Sequence, residues 1–180
     1  MDIYSRKFIE YIKNKEINKF KEYLDENPDK LVTYDYKESD EDEFFIDILN
    51  YACENNNVEI VNIILQHHEK YNQKIYSNFI SLTKSISRNK NIDVFRYFID
   101  LINKYKNNKL DYKNKSILEI IKYLDSQSGL CYHGYNIALF YLDKEIIEIL
   151  KKNYDCKLYE FVNYPFYIHK NEMLELHNNI

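Results

Sequence analysis

Three stretches of this chain share one arrangement of apolar residues at near-regular spacing, and that recurrence limits the fold more than any single residue does. They read NKEINKFKEYL (residues 14–24), NNNVEIVNIIL (55–65) and NKNIDVFRYFI (89–99). Their apolar sets are Ile17, Phe20 and Leu24; Val58, Val61, Ile64 and Leu65; and Ile92, Phe95, Phe98 and Ile99. Steps of three and four put each set on one side of a helix. A helix of about eleven residues is marginal alone in water, so each must be held by neighbours.

A second amphipathic segment precedes each stretch: Phe8, Ile9 and Ile12, then Ile48, Leu49 and Ala52, then Phe79, Ile80, Leu82 and Ile86. Short polar links, KNKE (13–16), ENNN (54–57) and RNKN (88–91), join the members of each pair. The predicted unit is helix, tight turn, helix and polar loop. It recurs after 34 residues between Val58 and Ile92 and after 41 between Ile17 and Val58, which implies an insertion of about seven residues between the first two units. Two glycines and two prolines in 180 residues leave little of the punctuation that a many-turned β fold needs, so the chain leans to helix.

Beyond residue 115 the pattern loosens. KSILEIIKYLDSQ (115–127) and DKEIIEILKKN (143–153) are helical by period, with Ile117, Ile120, Ile121 and Leu124 in the first and Ile146, Ile147, Ile149 and Leu150 in the second. Between them GLCYHGYNIALFYL (129–142) is apolar without a deciding period. The tail is broken by Pro165.

The stretch ILNYACENNNVEIVNIILQHH (48–68) resembles an ankyrin repeat, with its L-x-x-A first helix and V-x-[IV]-V-x-x-L-L second helix, and FIEYIKNKEINKFKEYLDENPDKL (8–31) resembles a first repeat of that family. The likeness is strongest over 1–68, carries on over 79–105 and fades after that. The family's T-P-L-H opening is missing, its nearest trace being YNIAL at 135–139. Asn56 stands where the family's turn glycine would be, and asparagine tolerates left-handed backbone. Lys90 has no such tolerance, so the third turn either shifts to Asn89 or Asn91 or is built differently. The resemblance implies an all-α, ankyrin-like helix-turn-helix solenoid of about four repeats, one domain over 1–180. Its repeats are expected at 4–34, 44–72 and 78–108, with a divergent one at 116–153 and a helical C-terminal cap at 154–180.

The same resemblance implies a protein-binding module that contacts its partner through the concave face of the first helices and through loop tips. Tyr11 and Tyr51 lie on first helices; Tyr34, Tyr36, Asp40, Glu41, Asp42 and Phe44 lie where the family has a hairpin finger. There the acidic run ESDEDE (38–43) reads most plainly as a solvated loop, and functionally as a platform that steers a basic partner while the aromatics anchor it. The lysine run NKYKNNKLDYKNK (103–115), with Tyr105 and Tyr112 interleaved, is a pattern for single-stranded nucleic acid, but its place between repeats favours a solvated loop.

Composition narrows the remaining classes. A net charge of −4 argues against general nucleic-acid binding, and no apolar run approaches the ~20 residues of a membrane span. The N-terminal MDIYSRKFIEYIK is charged where a secretory signal would be apolar. Cys53, Cys131 and Cys156 are odd in number and widely spaced, as reduced thiols are, with Cys53 a small core residue beside Ala52. Close zinc-ligand pairs and glycine-rich phosphate loops are missing from the sequence. His67 and His68 follow the second helix of the second unit, a helix C-terminus that histidine favours, which explains them without a ligand. The expectation is a cytoplasmic, soluble protein, monomeric when free, not an enzyme, with no catalytic residue, cofactor or metal. An alternative is a small acidic inhibitor, similar to toxin-immunity or viral counter-defence proteins, that blocks a basic nuclease or nucleic-acid-binding effector.

Overall fold

The computed structural model describes residues 3–31, 47–75, 77–88, 91–156 and 170–179. Among these the secondary structure is helical throughout, with no strand. Three helix pairs come first: α1 (Ile3–Asn14) with α2 (Ile17–Glu26), α3 (Ile48–Glu54) with α4 (Val58–Tyr71), and α5 (Phe79–Ile86) with α6 (Ile92–Lys106). There follow α7 (Lys115–Asp125), a π-type segment Gln127–Gly134, α8 (Tyr135–Phe140), α9 (Lys144–Asn153) and α10 (Lys170–Asn179). The pairs stack in two rows. In one, α1 packs on α3, α3 on α5, and α5 on the π-type segment that leads into α8; in the other, α2 packs on α4, α4 on α6, and α6 on α9. The α7 helix lies against α4, α5 and α6, and α10 rests on α8.

The tight turns show one hydrogen-bond pattern. In the first, the Lys15 amide donates to the Ile12 carbonyl and the Glu16 amide to the Tyr11 carbonyl; in the second, Asn56 donates to Cys53 and Asn57 to Ala52; before α9, Leu142 donates to Leu139 and Asp143 to Ala138. This is a Schellman cap, and its pivot residue must be left-handed. Lys15, Asn56 and Leu142 have φ of 57°, 49° and 53°. The residue after each pivot, Glu16, Asn57 or Asp143, caps the next helix, so only one or two residues separate the end of one helix from the cap of the next. The third equivalent pivot, Lys90, lies outside the described residues. Asn91 occupies the same starting position for α6, its carbonyl accepting from the Phe95 amide as Asn57 accepts from Val61.

Aligned on these starts, Phe20, Val61, Phe95 and Ile147 hold one position, and all four are fully buried in a single apolar core. Removing such side chains from water supplies about 1.5–3 kcal/mol each. One position earlier, Ile60, Val94 and Ile146 are also fully buried, whereas the first pair has Lys19, exposed and paired with Glu16 at 2.8 Å. Ile60 and Val94 extend the predicted stripes, and Val58, Ile92 and Ile17 are only half-buried. Ile80, expected among the apolar set of α5, is 42 % exposed.

The segment 129–142, which has no deciding period, is helical with a kink. Its two glycines are the only ones in the chain, and both are there for close approach. A Cβ on Gly129 would stand 2.1 Å from the Tyr123 carbonyl oxygen, and one on Gly134 would stand 2.9 Å from Ser87 Oγ. Gly129 lets the chain double back against the end of α7; Gly134 lets it cross the end of α5.

Candidate partner-binding face

Counting ten, seven and three residues back from each second-helix start defines an equivalent stripe on the first-helix row. It runs through Arg6, Ile9 and Lys13, then Asp47, Asn50 and Glu54, then Ser81, Lys84 and Arg88, and finally His133, Asn136 and Phe140. Side-chain contacts run along it from pair to pair. Glu54 takes Arg88 at 3.1 Å and accepts from Ser85 Oγ at 3.3 Å. Arg88 also lies over the Tyr141 ring, 5.9 Å from its centroid. His133 is held below the usual histidine pKa by burial and then by the neighbouring Lys84 charge. Arg6, Lys13, Lys84 and Arg88 are exposed, and Phe140 is 46 % exposed. Glu54 offsets Arg88 by pairing with it, which leaves Arg6, Lys13 and Lys84 as the exposed cations of the stripe without a carboxylate on it beside them.

Of the predicted contact residues, Tyr11 and Tyr51 are described. Both are half-buried and packed against the core. Tyr11 sits edge-on to Tyr23 (centroids 5.8 Å apart), at the position that Ala52 and Ala138 fill in later pairs. The finger residues Tyr34, Tyr36, Asp40, Glu41, Asp42 and Phe44 lie outside the described residues. Two of the five lysines in the basic run are paired, and Lys109, Lys113 and Lys115 are exposed. Lys104 pairs with Asp100 at 2.7 Å, and Lys106 pairs with Asp125 at 2.6 Å beneath the Tyr154 ring. Tyr105 and Tyr112 pack on the core, so these two rings are not free stacking platforms.

Asparagine builds the joints of the stack, a role with no distinct signal in a chain so rich in it. Asn56 Oδ1 accepts from the Val94 amide at 3.0 Å and its Nδ2 donates to Asp93 at 2.9 Å, so the turn of the second pair caps the second helix of the third. Asn91 makes no cap of its own; its amide donates to the Ser85 carbonyl. Buried Asn114 caps α7 through the Ser116 and Ile117 amides and donates to the carbonyls of His68 and Gln73. Glu69 accepts from the Lys113 and Asn114 amides at 2.8–3.0 Å. Beside this joint a cleft of about 740 Å³ is lined by both signs of charge, among them Glu69, Lys74, Lys113 and Glu119.

His67 and His68 are buried, and burial depresses the pKa of both, His68 to about 4. Burial there opposes the protonated form that the C-terminal end of a helix would otherwise favour. Cys53 is fully buried on α3, as its place beside Ala52 suggests. Among the described residues no three His, Cys, Asp or Glu side chains converge as a metal site would require, and no helix is long and apolar enough to cross a membrane.

No protein-family model, no curated protein and no solved structure matches the chain.

Proposed function

We propose that this chain is a protein-binding module built as an ankyrin-like solenoid, engaging its partner through the first-helix row and the loop tips beside it. The observation that carries the reading is the register. Three turns with one hydrogen-bond pattern stack helix pairs so that equivalent first-helix residues fall into one stripe, in which Arg6, Lys13, Glu54, Lys84 and Arg88 are exposed and the residues between them are mostly half-buried. Solenoids expose extended binding surfaces of this sort because each unit buries its apolar faces on its neighbours. The cations of that stripe call for carboxylates on the partner there. Basic charge on the partner belongs opposite residues 38–43, with Tyr34, Tyr36 and Phe44 as anchors and Tyr11 and Tyr51 contributing their exposed edges.

Affinity capture with three forms of the full chain tests this. One is wild type, one carries Asp40→Asn, Glu41→Gln, Asp42→Asn and Glu43→Gln, and one carries Lys84→Glu. A partner held by wild type and lost from Lys84→Glu marks the first-helix row. Loss only from the neutralised finger, with release by salt, favours the acidic-inhibitor reading. Undiminished capture by both variants removes this face from the function.

A further inference from the structure

Cys131 and Cys156 stand 25 residues apart in sequence, but the fold brings them together. Cys131 lies in the kinked segment before α8 and is 3 % exposed; Cys156 follows α9 and is 8 % exposed. The Cys131 thiol points at the carbonyl of Asp155, 3.7 Å away, in the residue next to Cys156. The Cys156 thiol lies beside Cys131 and reaches the Leu150 carbonyl at 3.8 Å. Both are free thiols, as is Cys53 on α3. Around the pair, Tyr135 Oη is 2.6 Å from His177 Nδ1, Lys151 donates to the His177 carbonyl, and Tyr154 donates to Asp125. These bonds hold α7, α8, α9 and α10 about one point.

We propose that Cys131 and Cys156 form an oxidisable dithiol that a peroxide converts to an intramolecular disulfide, fastening the end of α9 to the kinked segment. The chemistry needs no group beyond the two thiols and the oxidant. Cys156, the more exposed, attacks peroxide as its thiolate; the O–O bond breaks, leaving a sulfenic acid and hydroxide, which takes up the thiol's proton to become water. The Cys131 thiol then attacks that sulfur, the S–S bond forms and a second water leaves, so one peroxide is reduced as two thiols are oxidised. Burial keeps the Cys156 thiol protonated well above the usual range, which makes the reaction slow at neutral pH and faster as pH rises. Cys53, buried near Asp47 and Glu54, is the internal control.

The test is to expose the folded full chain to hydrogen peroxide at pH 7 and pH 9, alkylate remaining thiols, and map peptides by mass spectrometry without reduction. The expected product is a single linkage between the Cys131 and Cys156 peptides within one chain, with a mass lower by about 2 Da before alkylation. It should form faster at pH 9 and raise the melting temperature. Cys131→Ser and Cys156→Ser should each abolish the shift, while Cys53→Ser retains it. The denatured wild-type chain, oxidised in parallel, gives the random pairing of three cysteines. Separate sulfinic or sulfonic acids without a linkage, links between chains, or pairing as random as in the denatured control would each overturn the proposal.

Discussion

The turn at Asn56 and the turn at Leu142 have the same backbone, and they are held in opposite ways. Asn56 adopts left-handed φ at low cost and spends both ends of its amide on the next helix pair, through Val94 and Asp93. Leu142 adopts the same φ, is 36 % exposed, and donates only its backbone amide, to Leu139. Around Asn56 the turn geometry is favoured locally; around Leu142 it is imposed by packing. Uniform geometry across a stack therefore does not mean uniform stability, since each unit leans on its neighbours to a different degree.

The largest expected effects break the comparison outright. Val61→Asp puts a carboxylate at a fully buried position between stacked pairs. An unpaired buried charge costs several kcal/mol, and the cooperative melt seen by circular dichroism should disappear. Gly129→Ala should be nearly as damaging but more local, because the new methyl would meet the Tyr123 carbonyl. Amide exchange should then speed up across 115–153 while α1 to α4 keep their protection. Equal loss of protection in both halves would show that the stack unfolds as one unit.

Next in size is the response to acid. His68 has a folded-state pKa of about 4 against an ordinary 6.5, so the unfolded chain binds more protons in that window. Stability should be fully present above pH 6.5 and be lost as pH falls towards 4, by an amount on the order of 3 kcal/mol from this residue. Asp47 runs the other way: burial raises its pKa despite bonds from Ser77, Asn50 and Leu49, so its protonation at low pH favours the folded state. Urea titrations at pH 7, 5.5 and 4 should show the net loss, and His68→Leu should flatten it. A slope unchanged in that variant would mean that His68 is not the group responsible.

The parts legible in the sequence were those set by period. The stripes through Phe20, Val61 and Phe95 follow from steps of three and four, and the left-handed tolerance of Asn56 follows from its side chain. Ile60 and Val94 escaped because their counterpart in the first pair is Lys19, and comparing units hides a position that is apolar only where another unit packs on it. The segment 129–142 carried no clear period because its helix is interrupted at Gly129, whose ψ of −116° is not helical. The joint at Asn114 and Glu69 depends on groups more than 40 residues apart, which no local pattern encodes. The meeting of Cys131 and Cys156, 25 residues apart, is likewise set by how α8 and α9 pack and not by a local pattern. Tyr11 and Tyr51 could be placed on first helices from sequence, but their half-burial depends on which neighbour covers them.

The smallest effects return to the two pivots and separate backbone cost from side-chain bonding. Asn56→Gly keeps the left-handed turn but loses the bonds to Val94 and Asp93, a cost of about 1–2 kcal/mol if each contributes a typical net hydrogen bond. Asn56→Ala loses the same bonds and adds about 1 kcal/mol of left-handed strain, so Ala should be worse than Gly. At Leu142 the order should reverse against wild type. Leu142→Gly removes the strain and little buried surface, while the freer unfolded chain offsets part of the gain, leaving a net stabilisation of about 0.5 kcal/mol. Denaturant midpoints of the three variants decide it. A destabilising Leu142→Gly would mean that the half-exposed leucine makes contacts worth more than its backbone strain, so that its side chain as well as the surrounding packing holds the fourth turn.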